Sequence, residues 1–134
     1  MKSVSGIHTA LYRASGGRIG RGFQGMPVLL LTTIGRRSGK PRTTPLLFIR
    51  ENDAFVVVGS NGGSDSTPAW WLNLLSDPNA EVEIGRARTR VAARKASPEE
   101  RVRLWAAFTS GYPGYAKYAI RTAREIPVVL LEPR

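Results

Sequence analysis

The chain contains no cysteine and a single histidine, His8. Without cysteine there is no disulfide, no thiolate nucleophile and no Cys-ligated zinc. One histidine cannot supply a His-based metal site, and as a surface residue near the N-terminus His8 is a poor triad member. Long apolar runs are also missing. The longest, residues 26–31, is far too short to span a bilayer. The N-terminus lacks the hydrophobic stretch of a signal peptide. A reducing cytoplasm fits this composition. Acids are scarce: 10 against 20 lysines and arginines, for a net charge of +10. Glu51, Asp53, Glu81, Glu83, Glu99 and Glu100 fall in expected turns, on solvated strand faces or at a helix cap. No carboxylate pair sits in an apolar setting that would separate two pKa values. The chain therefore lacks the equipment of a hydrolase, and any redox chemistry must come from a cofactor. The positive excess predicts an anionic partner: nucleic acid, a membrane surface or a polyanionic small molecule.

At 134 residues the chain is one domain in length and can bury a core unaided. Residues 1–25 read as a leader. A short helix over residues 4–15 would put Ile7, Leu11 and Tyr12 on one face, and a glycine-rich connector with Arg18 and Arg21 follows. The leader has two readings, a peripheral contact with a membrane or partner through its basic residues, or a plain flexible extension. From residue 26 the pattern is β. Residues 28–33 form a near-continuous apolar run, as in a strand buried on both faces. Residues 42–50 form a second strand, with Pro45 marking an edge or bulge. Residues 51–53 make a hairpin turn into a third strand over 54–58. Short turns make this part antiparallel.

After a polar, glycine-rich loop, Thr67 is the expected N-cap of a helix with Pro68 at its first position. Trp70, Trp71, Leu74 and Leu75 give that helix its apolar face. Residues 81–84 and 88–94 alternate apolar with charged residues, as strands with one wet face do, and Arg88, Arg90 and Arg94 read as solvated. Ser97 and Glu100 form a capping box for a helix expected to bury Val102, Trp105 and Phe108. A second short helix carries Tyr115, Tyr118 and Ile120, and a strand over 128–131 ends the chain. Six short strands with late helices predict a mainly β (α+β) domain over 26–134. Its architecture is a small barrel with peripheral helices.

The most informative stretch is Gly35-Arg36-Arg37-Ser38-Gly39-Lys40-Pro41-Arg42, between the first two strands. Four cations fall within eight residues, where they repel one another unless an anion lies between them. Backbone amides near the glycines could complete an anion nest. A basic hairpin tip in water is the alternative. A phosphate-binding P-loop is excluded: only three residues separate Gly35 from Gly39, Pro41 follows Lys40, and a strand rather than a helix comes next. Two function classes remain, a basic barrel that binds nucleic acid and an enzyme with an anionic redox cofactor. A single-strand binder needs exposed aromatics among cations along its strands. Here Trp70, Trp71, Trp105 and Phe108 sit on helices at core-like spacing, which argues against nucleic acid.

Several segments together resemble one family. They are Leu30-Leu31-Thr32-Thr33 with the basic turn and Pro45-Leu46; Gly59-Ser60-Asn61-Gly62-Gly63; Pro68-Ala69-Trp70-Trp71-Leu72-Asn73-Leu74; Tyr112-Pro113; and Ile126-Pro127-Val128-Val129. In order and spacing they are similar to the deazaflavin-dependent nitroreductases, also called coenzyme F420-dependent quinone reductases. The resemblance covers roughly residues 23–133, nearly all of the chain. It implies a six-stranded split β-barrel of the flavin-reductase type, and coenzyme F420, a polyanionic deazaflavin, as cofactor. FMN is the weaker candidate, because its shorter tail brings less negative charge to the turn.

By that resemblance, Arg36, Arg37, Ser38 and Gly39 line the phosphate site. Arg42, Thr43, Thr44, Pro45, Leu46 and Leu47 continue along the cofactor. Val58, Gly59, Ser60 and Asn61 border the ring system, and Ala69, Trp70, Trp71, Leu72 and Asn73 close the other side. Trp70 and Trp71 have a core reading as well. Tyr112, Tyr115 and Tyr118 match tyrosines over the substrate pocket, although they could simply cover a helix–sheet joint. Tyr115, Ser60, Tyr112 and Tyr118 are thus the candidate catalytic groups. A phenol with a pKa near 10 is a poor acid at neutral pH, so the expected role is to exclude water and hydrogen-bond an oxygen that gains charge. The implied acceptor is a quinone, nitroaromatic or activated double bond. The implied state is a cytoplasmic monomer or homodimer, with the inner membrane face as a second location. Relatives often carry lysine where Asn61 stands and an aromatic where Leu47 stands, so the substrate pocket is expected to differ.

Overall fold

A computed structural model describes residues 27–60, 65–122 and 124–134, without the side chains of Tyr118, Ile120 and Arg121. The expected helix over 4–15, the leader boundary at residue 25 and Asn61 lie outside the described residues. The elements are β1 (Val28–Ile34), β2 (Pro41–Leu47), β3 (Ile49–Glu51), β4 (Ala54–Val58), α1 (Ala69–Ser76), β5 (Asn79–Ile84), β6 (Ala87–Lys95), α2 (Pro98–Gly111), α3 (Gly114–Arg121) and β7 (Val128–Pro133).

All seven strands join one sheet in the order β2-β1-β5-β6-β7-β4-β3, and every described pairing is antiparallel. The single strand expected over 42–50 is two, broken at Phe48, so the count is seven rather than six. The break closes the fold. β2 and β3 are the two outer strands, yet only Phe48 separates them in sequence. In a flat sheet their spacing would be roughly 29 Å, at about 4.8 Å per strand. Two residues of extended chain reach about 7 Å. The sheet must therefore curl until its edges meet, which makes a split barrel. Phe48 is buried at this seam, edge-on to Phe55 with ring centroids 5.9 Å apart.

Alternation along the strands sorts the apolar side chains between two cores. Leu29, Leu31, Phe55, Val57, Val82, Val91, Val129 and Leu131 fill the barrel interior. Their neighbours Ala54, Val56, Val58, Val128 and Leu130 face outward and are covered by Leu104 and Phe108 of α2 and by Tyr112. β1 is buried on both faces as its sequence predicts, with Val28 and Leu30 grouped with Leu47 on the outer side.

Two helix details differ from expectation. The N-cap of α1 is Pro68 rather than Thr67, with no side-chain cap bond. The Pro68 carbonyl instead accepts from the amides of Trp71 and Leu72. On α2, Val102 is 75% exposed and Leu104 is buried. Leu104 and Phe108 lie four apart on one face, whereas each step of three drifts by about 60°, which takes Val102 off that face. The capping box forms as predicted: the Ser97 hydroxyl accepts from the Glu100 amide and the Glu100 carboxylate accepts from the Ser97 amide.

Antiparallel pairing brings functional segments to one end of the barrel. β1 and β4 end there, while β5 and β7 begin there. The basic turn after β1, the exit of β4 at Gly59 and the entry to β7 therefore share an end. α1 lies across it, with Trp70, Trp71 and Leu74 in the interior cluster.

Candidate functional site

The basic turn is a preformed loop. The Gly35 amide donates to the Lys40 carbonyl and the Gly39 amide to the Gly35 carbonyl, both at 2.8 Å. The Ser38 hydroxyl accepts from the Lys40 amide at 3.1 Å. Two glycines make this shape possible. Gly39 has φ +71°, in the left-handed region. A Cβ on Gly35 would lie 2.8 Å from Ser38 Oγ and 3.2 Å from the Lys40 carbonyl oxygen. Among the described residues, the amides of Arg37 and Ser38 find no acceptor. They remain open donors on the crest of the turn.

The side chains around these amides are cations. Among the described residues no carboxylate pairs with Arg36, Arg37, Lys40 or Arg42. Elsewhere several surface cations are matched. Arg88 pairs with Glu83, Lys95 with Glu125, Arg103 with Glu51, and Arg94 with both Glu100 and Glu132. Arg94 and its two acids thus form a network rather than the freely solvated face the sequence suggests. The Arg94 guanidinium, with help from the Ser97 amide, lowers the Glu100 carboxyl to about 2.

Asn73 ties the turn to α1. Its Oδ1 accepts from Arg36 twice, from the backbone amide at 3.2 Å and from Nη1 at 2.9 Å. Its Nδ2 donates to Thr33 Oγ1 at 3.1 Å. Asn73 and Thr33 are both buried. Arg36 is therefore aimed by a neutral amide, which leaves its charge uncompensated. Thr33 reads in sequence as one more strand residue. Its role depends on a partner 40 positions away, which no local pattern reveals.

The other expected site residues divide by exposure. Ser38, Gly39, Arg42 and Ala69 are exposed, and Thr43, Thr44, Pro45, Leu46, Leu47 and Leu72 are half-buried. Among the described residues β2 pairs only with β1. Thr43 Oγ1 is bound to Thr32 Oγ1 at 2.8 Å. Val58, Gly59, Ser60, Trp70 and Trp71 are buried. The two indoles pack edge to face, with centroids 6.4 Å apart, inside the barrel core.

The tyrosines differ among themselves. Tyr112 is buried and its hydroxyl donates to the Phe48 carbonyl at 2.9 Å. Burial pushes its pKa above the usual phenol value. Tyr115 is half-buried, with its ring 4.9 Å from that of Phe108. The side chain of Tyr118 lies outside the described residues.

The exit of β4 is held from the entry to β7. The Gly59 amide donates to the Pro127 carbonyl at 2.9 Å. A Cβ on Gly59 would come within 2.8 Å of Pro127 Cγ, so glycine is required by this close approach. Arg124 Nη2 donates to the Ser60 carbonyl at 2.8 Å, and Thr122 Oγ1 donates to Asp65 Oδ1 at 2.6 Å. Sequence reading missed Thr122 and Arg124, which belong to no motif and read as connector.

Known proteins share both the sequence pattern and this architecture. A family model described as F420H(2)-dependent quinone reductase matches residues 4–133. An F420H(2)-dependent quinone reductase of Mycobacterium tuberculosis is 39% identical over 132 residues, 96% of this chain and 89% of that protein. A solved structure described as an F420-H2 dependent reductase superposes with a TM-score of 0.73 at 37% identity, covering 79% of this chain and 94% of that one. Another, described as a domain-swapped dimer, gives 0.74 at 34% identity, covering 92% and 98%. These relatives lend the nucleic-acid reading no support.

Proposed function

This chain belongs to the F420H(2)-dependent quinone reductase family, and from that premise we propose that its basic turn holds the tail of coenzyme F420 while Tyr115 faces the acceptor. The protein is an enzyme, an oxidoreductase of the split-barrel class with coenzyme F420 as its cofactor. FMN is at most a minor alternative. The observation that carries the site assignment is the set of four cations that have no carboxylate partner among the described residues, around two open backbone amides. That donor set suits a phosphate and carboxylate tail. Charge-assisted bonds to phosphate are the strong kind.

Reduced coenzyme F420 supplies the hydride. The residues of this chain supply binding, orientation and exclusion of water. Arg36, aimed by Asn73, and Arg37 are proposed to take the phosphate. Lys40 and Arg42 extend the positive surface toward β2. The Gly59–Ser60 exit is proposed to border the ring, with Ala69 and Leu72 opposite. Trp70, Trp71 and Asn73 support this wall from behind, because their side chains face the core or are already hydrogen-bonded.

For the acceptor we propose a quinone. Tyr115 is the favoured substrate-side residue, since the Tyr112 hydroxyl is committed to a backbone carbonyl. A role for Ser60, Tyr118 or Asn61 rests on the resemblance alone. Nitroaromatic and activated-alkene acceptors, a cytoplasmic location, a homodimer and a membrane contact by the leader belong to the same proposal. Among the described residues no helix is long and apolar enough to cross a membrane.

The test is a titration of coenzyme F420 and of FMN, followed by protein fluorescence, with quinone reduction assayed beside it. Tighter binding of coenzyme F420 is expected. Tighter FMN binding would overturn the assignment of the turn.

A further inference from the structure

We propose that Thr122 and Arg124 are positioning residues for the cofactor site, acting through the exit of β4. The proposal rests on the reading of Gly59 and Ser60 as the ring border. Both residues act at the part of the site opposite the basic turn.

Three bonds cross between the two segments. They join Gly59 to Pro127, Ser60 to Arg124 and Asp65 to Thr122. Each lies on or beside the stretch that leaves β4, two at its start and one at its far end. The bonds to Gly59 and Ser60 hold two successive residues, one by its amide and the next by its carbonyl.

The clamp itself has a rigid base. Ile126 is buried in the outer core, and its carbonyl accepts from Arg101 of α2. Glu125 pairs with Lys95 at 3.0 Å, and the Ala96 amide donates to the Val128 carbonyl at 2.9 Å. Thr122 is itself buried and also accepts from the Arg124 amide at 3.3 Å. The segment between α3 and β7 is thus braced by α2 and β6 on one side and grips the β4 exit on the other.

The consequence is a fixed register between the two parts of the site. Thr122 directly follows α3, the helix that carries Tyr115. A displacement of this segment would shift the ring border and the proposed acceptor side together. An ordinary connector would need no bond to Asp65, whose exposed carboxylate is satisfied by water at little cost. The Ser60 carbonyl belongs to a buried residue and takes its hydrogen bond from Arg124.

The experiment reads hydrogen exchange at the Gly59 amide in the cofactor-free protein, and cofactor affinity separately. Thr122→Val removes the hydroxyl at constant shape, and Thr122→Ser restores it. Arg124→Ala removes the guanidinium, and Arg124→Lys keeps one donor. Loss of one hydrogen bond is expected to speed exchange at Gly59 about tenfold in Thr122→Val and Arg124→Ala. A similar loss of cofactor affinity is expected, with recovery in Thr122→Ser and partial recovery in Arg124→Lys. Arg134→Ala, which removes a bond to the Val91 carbonyl, should change neither readout. Unchanged exchange at Gly59 would overturn the clamp. Faster exchange with unchanged affinity would overturn its role in the cofactor site. If the wild-type protein bound no coenzyme F420, the functional reading would fall, and the positioning proposal with it. Exchange would then judge the clamp itself.

Discussion

Asn73 Oδ1 accepts from Arg36 Nη1 at 2.9 Å and also from the Arg36 backbone amide, across 37 positions of sequence. One neutral amide thereby orients a cation without cancelling its charge. An aspartate in the same place would pair with the guanidinium and take it from an anionic ligand.

Asn73→Ala should therefore weaken cofactor binding although the Asn73 side chain is already hydrogen-bonded to Arg36 and Thr33. It also leaves the buried Thr33 hydroxyl without its partner, at a cost of about 1–3 kcal/mol in stability. A double-mutant cycle with Arg36→Ala checks the route. Residues in direct contact show coupling of about 0.5–3 kcal/mol. Strictly additive effects on cofactor affinity would mean that Asn73 does not act through Arg36.

Arg37→Ala should weaken coenzyme F420 binding at least tenfold. A hydrogen bond to a charged group contributes roughly 1.5–3 kcal/mol, and ~1.4 kcal/mol is a decade. Arg94→Ala should leave affinity unchanged, because Arg94 serves Glu100 and Glu132. Titration of both variants decides it, and equal losses would misplace the site.

The tyrosines should separate by assay. Tyr112→Phe strands the Phe48 carbonyl and should lower stability by about 1 kcal/mol, with little change in turnover. Tyr115→Ala should impair turnover more than cofactor binding. Steady-state kinetics beside thermal melts distinguish the two. Full activity of Tyr115→Ala with every acceptor tried would remove Tyr115 from the proposal.

Gly59→Ala should destabilise the protein and loosen cofactor binding, since the new methyl meets a rigid proline ring at 2.8 Å. Gly111→Ala, where a Cβ meets nothing within 4 Å, is the matched control. A melt of Gly59→Ala no lower than that of Gly111→Ala would show that the Pro127 contact yields freely.

Glu100 makes stability depend on acid pH. Its folded-state pKa is about 2, below the ordinary 4.5. Its contribution is therefore fully present above about pH 4.5 and is lost as pH falls toward 2. Glu125, lowered by its bond to Lys95, acts in the same direction. Melting temperature should fall over that range, and less steeply in Glu100→Gln. Parallel curves for the two proteins would exclude the Arg94–Glu100 bond as a source.

Much of the fold is legible in the chain because its signals are local. The apolar run of β1, the alternation of β5 and β6, and the Ser97–Glu100 box each depend on residues a few positions apart. The cation-rich turn raises the expectation of an anion, and the joint order of several motifs points to the family. Steps of three group Val102 with Trp105 and Phe108 in sequence, but the helical turn of about 100° per residue carries Val102 out to solvent. The break at Phe48 is not legible: only closure of the sheet brings its two edges together there. The partners of Arg36, Ser60 and Asp65 lie far along the chain. Sequence alone offered the candidate groups of the site, because side-chain chemistry is local. The tertiary structure decided which of them stay exposed and charged and which are consumed as struts. Burial and hydrogen-bond partners are set by whichever segments the closed sheet brings together.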